Sequence, residues 1–199
     1  VINRINAFAL FMVVIATAAL FIVLSAFAGL KDFGLSFTNS FDADFEIQAS
    51  QGKYLSLKDS TLFQIESLKL IQAAAPEIEE KVFLSFNEKN QVAYLKAVGP
   101  NYTNVVQVDR LVALGDWLSF SGLETVLGFG IAGNLSVGVF DYNTFLNITV
   151  PKKNKNTLLG QDPFVTKPSI VVGLYQISED LDKKYVFSNL EFGQELLEL

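Results

Sequence analysis

The chain of 199 residues contains no cysteine and no histidine. Without them it cannot build a disulfide, a thiolate nucleophile, a zinc site of the usual kinds or a Ser-His-Asp triad, which removes most hydrolase and metalloenzyme readings. The lack of cysteine is compatible with an oxidising compartment without requiring one. Basic side chains are also scarce. Fifteen Lys and Arg stand against 21 Asp and Glu, for a net charge of −6. Phosphate binding needs a concentration of Lys and Arg, so no nucleic-acid partner is expected. No G-x-x-x-x-G-K-[ST] occurs, so the chain holds no ATP through a P-loop. No catalytic residue, cofactor or metal is expected in this chain.

What the chain does have is a long apolar run. Ala7 to Leu30 carries neither a charge nor a proline. A hydrocarbon core of roughly 30 Å needs about 20 helical residues, so a transmembrane helix is expected over residues 5–31. A cleaved signal peptide is the other reading; Ser25-Ala26-Phe27-Ala28 loosely fits its cleavage pattern, but its apolar region is only about 7–15 residues long. The first residue is Val1 rather than Met, which points to a fragment. Arg4 precedes the span while Lys31 and Asp32 cancel after it. The positive-inside rule then places Val1 in the cytoplasm and residues 32–199 outside, which in a bacterium is the periplasm. The span inflates the mean hydropathy of +0.34; the rest reads as globular sequence long enough to bury a core.

Past the span, Gly34 to Asn39 is expected as a connector and Asp44 to Ala49 alternates as a half-buried strand does. Ser50 to Lys53 reads as a turn. Leu62, Ile65, Leu68 and Ile71 sit near helical spacing, predicting a helix from Leu57 to Ala75 with Asp59 or Ser60 as N-cap and Pro76 as its stop. Val82 to Phe86 and Gln91 to Val98 read as a hairpin with a four-residue loop, Asn87 to Asn90, and Gly99-Pro100-Asn101 breaks it. Leu127 to Leu135 is Gly-rich. Such a turn can cradle phosphate, but its spacing fits no dinucleotide fingerprint, and a tight turn opening a short packed helix is expected. Strands are expected at Phe145 to Val150, Ile170 to Tyr175 and Tyr185 to Val186-Phe187, then a helix from Ser188 or Asn189, with Glu191 completing a capping box.

Between two of those strands lies PKKNKNTLLGQDPFVTKP, Pro151 to Pro168. Loops beyond about 12–15 residues are uncommon and often functional. Lys152, Lys153, Lys155 and Lys167 make it locally basic on an acidic chain, and Leu158, Leu159 and Phe164 supply an apolar centre, the anatomy of an interface core with a rim. A solvated loop explains the lysines equally well. Asp42, Asp44 and Glu46 alternate but lack the geometry of a cation loop, so they are expected to face solvent. Three N-x-[ST] sequons, at Asn101, Asn134 and Asn147, have no expected role in a bacterium.

In this order the features resemble a family: the permease subunits of lipoprotein-releasing ABC transporters, within the wider FtsX-like and MacB-like permeases. Val23 to Leu30 is similar to the family's LSxxxGF helix end, with Leu30 in place of the aromatic residue. Ala97-Val98-Gly99-Pro100 is similar to its xGxdP element without the acidic residue. Leu127 to Leu135 resembles its GxxLAxxL segment. Ile170 to Tyr175, followed by Asp182, Tyr185-Val186 and Leu190 to Leu197, resembles its closing signature.

The resemblance implies an α+β chain: one transmembrane helix, then a MacB-like periplasmic core domain. That domain is expected to have a membrane-proximal α/β part, about 40–103 and 168–199, and a β-rich insertion, about 104–167. About three further spans would follow Leu199. It implies a non-catalytic subunit in the bacterial inner membrane. Its partners would be a cytoplasmic ABC ATPase carrying ATP and Mg, a second permease subunit, a lipoprotein substrate and a periplasmic lipoprotein carrier. Acyl chains would lie near the outer end of the helix, at Phe27 and Leu30 with Phe21 and Leu24, although these side chains would equally face bulk lipid or the partner subunit. Ser25 and Gly29, four apart, would mark helix packing. In one permease type of the family a hairpin between the equivalent strands grips the carrier, which points to Pro151, Lys152, Lys153, Lys155, Leu158, Leu159, Gln161, Pro163 and Phe164. An efflux or signalling permease of the same broad family, and a singly anchored periplasmic scaffold, stay open as alternatives.

Overall fold

The computed structural model describes residues 2–38, 43–120, 122–152 and 162–199. The chain divides into two compact units, Val1–Asp42 and Ala43–Leu199. In the first, helix α1 runs over Ile2–Thr38. Its Asn3–Lys31 stretch is long and apolar enough to cross a membrane, and none of that window is buried. The connector expected from Gly34 is instead helix up to Thr38. No proline interrupts it, and one glycine costs a helix only about 1 kcal/mol. Asn39 lies outside the described residues.

The second unit begins with residues 43–58, which form no regular element. The strand expected at Asp44 to Ala49 is therefore corrected. Alternation makes a strand only where a neighbouring strand and a core receive it, and Phe45 and Ile47 remain 91% and 65% exposed. Helix α2, Asp59–Glu66, is shorter than expected, and Lys58 occupies its N-cap without a side-chain bond. It stops where the Ser67 hydroxyl donates to the Gln64 carbonyl at 2.7 Å, a local bond that competes with the helical ladder.

Seven strands follow: β1 (Glu77–Phe86), β2 (Lys89–Val98), β3 (Val112–Gly115), β4 (Glu124–Gly128), β5 (Leu146–Pro151), β6 (Phe164–Tyr175) and β7 (Tyr185–Asn189). They form one sheet in the order β3-β6-β4-β7-β2-β1-β5, and β5 also pairs with β6. The last pairing closes six strands into a ring of hydrogen-bonded neighbours, with β3 attached to β6. Stretch 104–167 supplies β3, β4, β5 and the start of β6 to that one sheet. β1 and β2 turn through Asn87 and Glu88, tighter than the expected four-residue loop. Asn87 accepts the left-handed conformation this needs, with φ 52°.

Period-2 alternation puts Val82, Leu84 and Phe86 of β1, Ala93 and Leu95 of β2, and Leu146, Ile148 and Val150 of β5 into one buried cluster. Helices α3 (Tyr102–Val105) and α5 (Glu179–Asp182) have four residues each, while helices α4 (Phe129–Leu135) and α6 (Leu190–Leu196) fill that cluster with Ile131, Leu135, Phe192 and Leu196. α4 is the short packed helix expected after the Gly-rich turn. Gly128 opens it because a Cβ there would stand 2.1 Å from the Asp182 carbonyl oxygen. α6 is capped by Asn189, whose side chain accepts from the Phe192 N–H at 2.7 Å. Glu191 therefore does not complete a box with Ser188. A second aromatic cluster surrounds Phe187, with Trp117, Tyr175 and Tyr102 at centroid distances of 5.2, 5.6 and 6.1 Å.

Candidate docking site

β5 and β6 are antiparallel from Leu146↔Ser169 to Pro151↔Phe164. The ladder continues one step further, where the Lys152 N–H donates to the Pro163 carbonyl at 2.8 Å. The eighteen-residue loop expected between strands is therefore corrected at its C-terminal side, because Phe164 to Pro168 belong to β6. Pro168 is tolerated there for a physical reason. The Ile170 N–H donates to the Leu123 carbonyl at 2.7 Å, so two residues earlier the proline nitrogen faces the same side, before β4 begins, and no ladder bond is lost.

Pro151, Pro163 and Phe164 are exposed and Lys152 is half-buried. Lys153, Lys155, Leu158, Leu159 and Gln161 lie outside the described residues. Below the ladder's end is a shallow recess of about 250 Å³, lined among others by Tyr54, Glu80, Pro151, Lys152, Val165 and Leu197. One wall is a clamp: the Lys53 ammonium is 2.6 Å from Oε1 and 2.5 Å from Oε2 of Glu80, while the Tyr54 hydroxyl donates to Oε2 at 2.7 Å. Burial would raise the Glu80 carboxyl, but the hydrogen bonds from Lys53 and Tyr54 and the Lys53 charge outweigh it and hold its pKa below the ordinary value. On β6, Lys167 pairs with Glu195 of α6, and the Thr149 and Thr166 hydroxyls meet at 2.8 Å across the strands. At its base the pair is thus tied to α6 through Lys167 and Glu195 and strand to strand through Thr149 and Thr166.

A second polar group sits on β1 and β2. Lys96 is only 6% exposed, with Glu77 at 2.6 Å and Glu79 at 3.4 Å and the Tyr185 ring centroid 5.3 Å from its Nζ. Burial alone would lower its pKa, but the charge and hydrogen bond of Glu77 win and raise it. Neither this group nor the Lys53–Tyr54–Glu80 clamp is predicted from sequence, because each joins residues whose proximity depends on strand pairing.

Phe21, Leu24, Phe27 and Leu30 are 60–72% exposed on α1. At about 100° per residue they step round half of the helix, and Ser25 and Gly29 fall on the other half. A Cβ at Gly29 would meet nothing within 4 Å. Asp44 and Glu46 are exposed, Asp42 lies outside the described residues, and among the described residues no group of three or more His, Cys, Asp or Glu is placed to hold a metal. Of the sequons, Asn101 bonds Glu66 and Asn134 bonds Gln91.

An apolar helix long enough to cross a membrane, followed by a mixed α/β, sheet-rich domain, suits a membrane-anchored protein with an extracytoplasmic domain. Residues 7–188 match the family described as the MacB-like periplasmic core domain, and the chain belongs to it. No curated protein matches. Solved structures similar to it include the extracellular domain of the noncanonic ABC-type transporter YknZ from Gram-positive bacteria, at 12% identity and a TM-score of 0.47, covering 70% of this chain and 65% of that one. Another is the periplasmic region of MacB from Actinobacillus actinomycetemcomitans, at 17% identity and a TM-score of 0.48, covering 72% and 60%. The chain spans less than two thirds of either.

Proposed function

We propose that this chain is part of the transmembrane subunit of an ABC transporter that extracts lipoproteins from the membrane and passes them to a periplasmic carrier, with ATP hydrolysed by a partner chain. The observation that carries this reading is the β5–β6 pair. Its ladder closes at Lys152 and Pro163, yet residues 153–162 continue beyond the closing pair and contain Lys153, Lys155, Leu158 and Leu159. A hairpin needs only two residues to turn, so this surplus suits a docking element, with leucines as anchors and lysines as rim. Pro151, Lys152, Gln161, Pro163 and Phe164 would flank it.

The outer half of α1 suits the cargo. Phe21, Leu24, Phe27 and Leu30 form an apolar arc on which acyl chains gain about 0.8 kcal/mol per buried methylene. Ser25 and Gly29 allow close approach of a second helix on the other side, from the second permease subunit. The subunit itself performs no chemistry in this reading; it transmits motion.

The test is photocrosslinking from Leu159 in the intact membrane protein, read by mass spectrometry. A soluble lipoprotein carrier as main adduct is the expected result. A membrane-fusion adaptor or a cell-wall hydrolase would instead favour an efflux or signalling permease, to which the family assignment applies equally.

A further inference from the structure

The segment between α1 and β1 is unusual in what it exposes. Phe45, Ile47, Phe63, Leu68 and Leu70 are 91%, 65%, 72%, 56% and 99% exposed, and Leu55 and Leu57 are 43% and 39% exposed. Scattered apolar residues on a surface need no explanation, but a run of large ones along one segment does. The segment is nevertheless held in place. Lys53 and Tyr54 are clamped to Glu80 of β1, and Glu66 at the end of α2 accepts from Asn101 at 3.0 Å. On α2 the half-buried Leu62 and Ile65 differ from Phe63, which faces outward. Two anchor points thus display the apolar side chains instead of folding them in.

We propose that residues 45–70 form a membrane-surface contact, in which Phe45, Ile47, Phe63 and Leu70 enter the headgroup–acyl boundary of the bilayer that α1 spans. Continuity with the span makes a bilayer reachable: Phe45 follows Thr38, the last residue of α1, by only seven residues, and a chain covers at most about 3.6 Å per residue. The side chains also favour lipid over protein. Protein hot spots draw on Trp, Tyr and Arg, whereas the exposed set is Phe, Leu and Ile, interspersed with Lys53, Lys58 and Lys69, the pattern of an interfacial segment. Four acidic residues, Asp44, Glu46, Asp59 and Glu66, offset those lysines, so the contact is driven by apolar area and needs no anionic lipid. Its depth is limited. Residues 43–58 pair with no strand, and unpaired backbone groups cannot leave water for hydrocarbon. Side chains enter and the backbone stays at headgroup level. This rests on α1 spanning the bilayer and not on the identity of any cargo.

The absence of native cysteine makes the test direct. Leu70→Cys and Phe45→Cys are labelled separately with an environment-sensitive fluorophore in the full chain, reconstituted in phosphatidylcholine–phosphatidylethanolamine nanodiscs and quenched by nitroxide lipids. Ile15→Cys reports the span. Glu88→Cys, in the turn at the far end of ten-residue β1, reports water. The expected result is strong loss of Leu70 and Phe45 fluorescence with the nitroxide near the headgroup, weak loss with a mid-chain nitroxide, no loss at Glu88, and little change with salt. Quenching at Ile15 without quenching at Leu70 and Phe45 overturns the surface contact alone. So does protection of those two labels that appears only when a second copy of the chain is present. No quenching at Ile15 overturns the spanning helix and the contact with it.

Discussion

The sheet contains two antiparallel hairpins that make opposite use of the chain. β1 and β2 are ten residues each, paired along their whole length and joined by two residues. β5 and β6 pair over only six positions and are then joined by residues 152–163. The first hairpin is all framework: alternate side chains enter the core, and Lys96, Glu77 and Glu79 fasten the opposite face. The second is framework at its base, where Leu146, Ile148 and Val150 are buried, and exposed at its end. Loop closure grows only slowly with loop length, so a longer connection costs the fold little. Regions that do not decide stability are free to carry recognition. Under the proposed function, the difference between the hairpins separates what holds the domain from what it offers to a partner.

Breaking the framework hairpin has the largest effect. Leu84 on β1 is fully buried, and Leu84→Ala removes its contacts and leaves a cavity, for a loss of about 2–5 kcal/mol. A thermal melt of the detergent-solubilised chain should show a fall of several degrees or more. An unchanged midpoint would mean β1 is not framework.

Lys96→Met comes next. Removing one partner of a fully buried ion pair costs about 3–5 kcal/mol. Here the side chains of Glu77 and Glu79 are 29% and 39% exposed, so water takes over part of the lost contact and about 1–3 kcal/mol is expected. The pH dependence has a definite sign. Lys96 has a folded pKa raised above its ordinary 10.5. Its contribution is fully present below that value and is lost as pH rises through the folded one. Wild-type stability should fall on the alkaline side, and Lys96→Met should flatten that fall. At Glu80, also on β1, the sign reverses. Glu80 has a folded pKa below its ordinary 4.5, so its contribution is present above 4.5 and lost as pH falls through the lower value. Glu80→Gln should flatten the acid limb of a melt series.

How much of this was legible follows from the range of each interaction. The apolar run of α1 is local and reads directly, as do β5, β7, α4 and the Asn189 cap. Strand existence without a partner is not local, which is why Phe45 and Ile47 mimic a strand they do not form. Spacing overextends the helix after Leu57, because it records periodicity but not whether a surface receives it; Leu70 is 99% exposed. Phe164 to Pro168 reads as loop because Pro163 precedes it and Pro168 ends it, and only the register with β5 shows that Pro168 loses no bond. The clamp on Glu80 and the network around Lys96 join residues far apart in sequence and have no sequence signature at all.

Smaller effects test the turns themselves. Asn87→Ala forces a Cβ without a compensating amide into a left-handed position, at about 1 kcal/mol, whereas Asn87→Gly should be close to neutral.

The smallest effect on stability is expected from the largest change in sequence. Replacing residues 153–162 with Asn-Gly leaves the Lys152–Pro163 closing pair and gives β5–β6 the two-residue turn that β1–β2 already has. Every buried core residue among the described residues is kept in this variant, and loop shortening shifts closure entropy by only about 1 kcal/mol. The melt should therefore stay within a few degrees of wild type or rise slightly. If the proposed docking holds, a photoreactive residue at Phe164 gives a carrier adduct in the wild-type protein and loses it in this variant. If instead the shortened chain fails to fold, residues 153–162 belong to the framework, and the contrast between the two hairpins disappears. If it folds and still captures the carrier, docking resides elsewhere on the domain, because the turn that replaced the connection has neither the leucines nor the lysines to supply it.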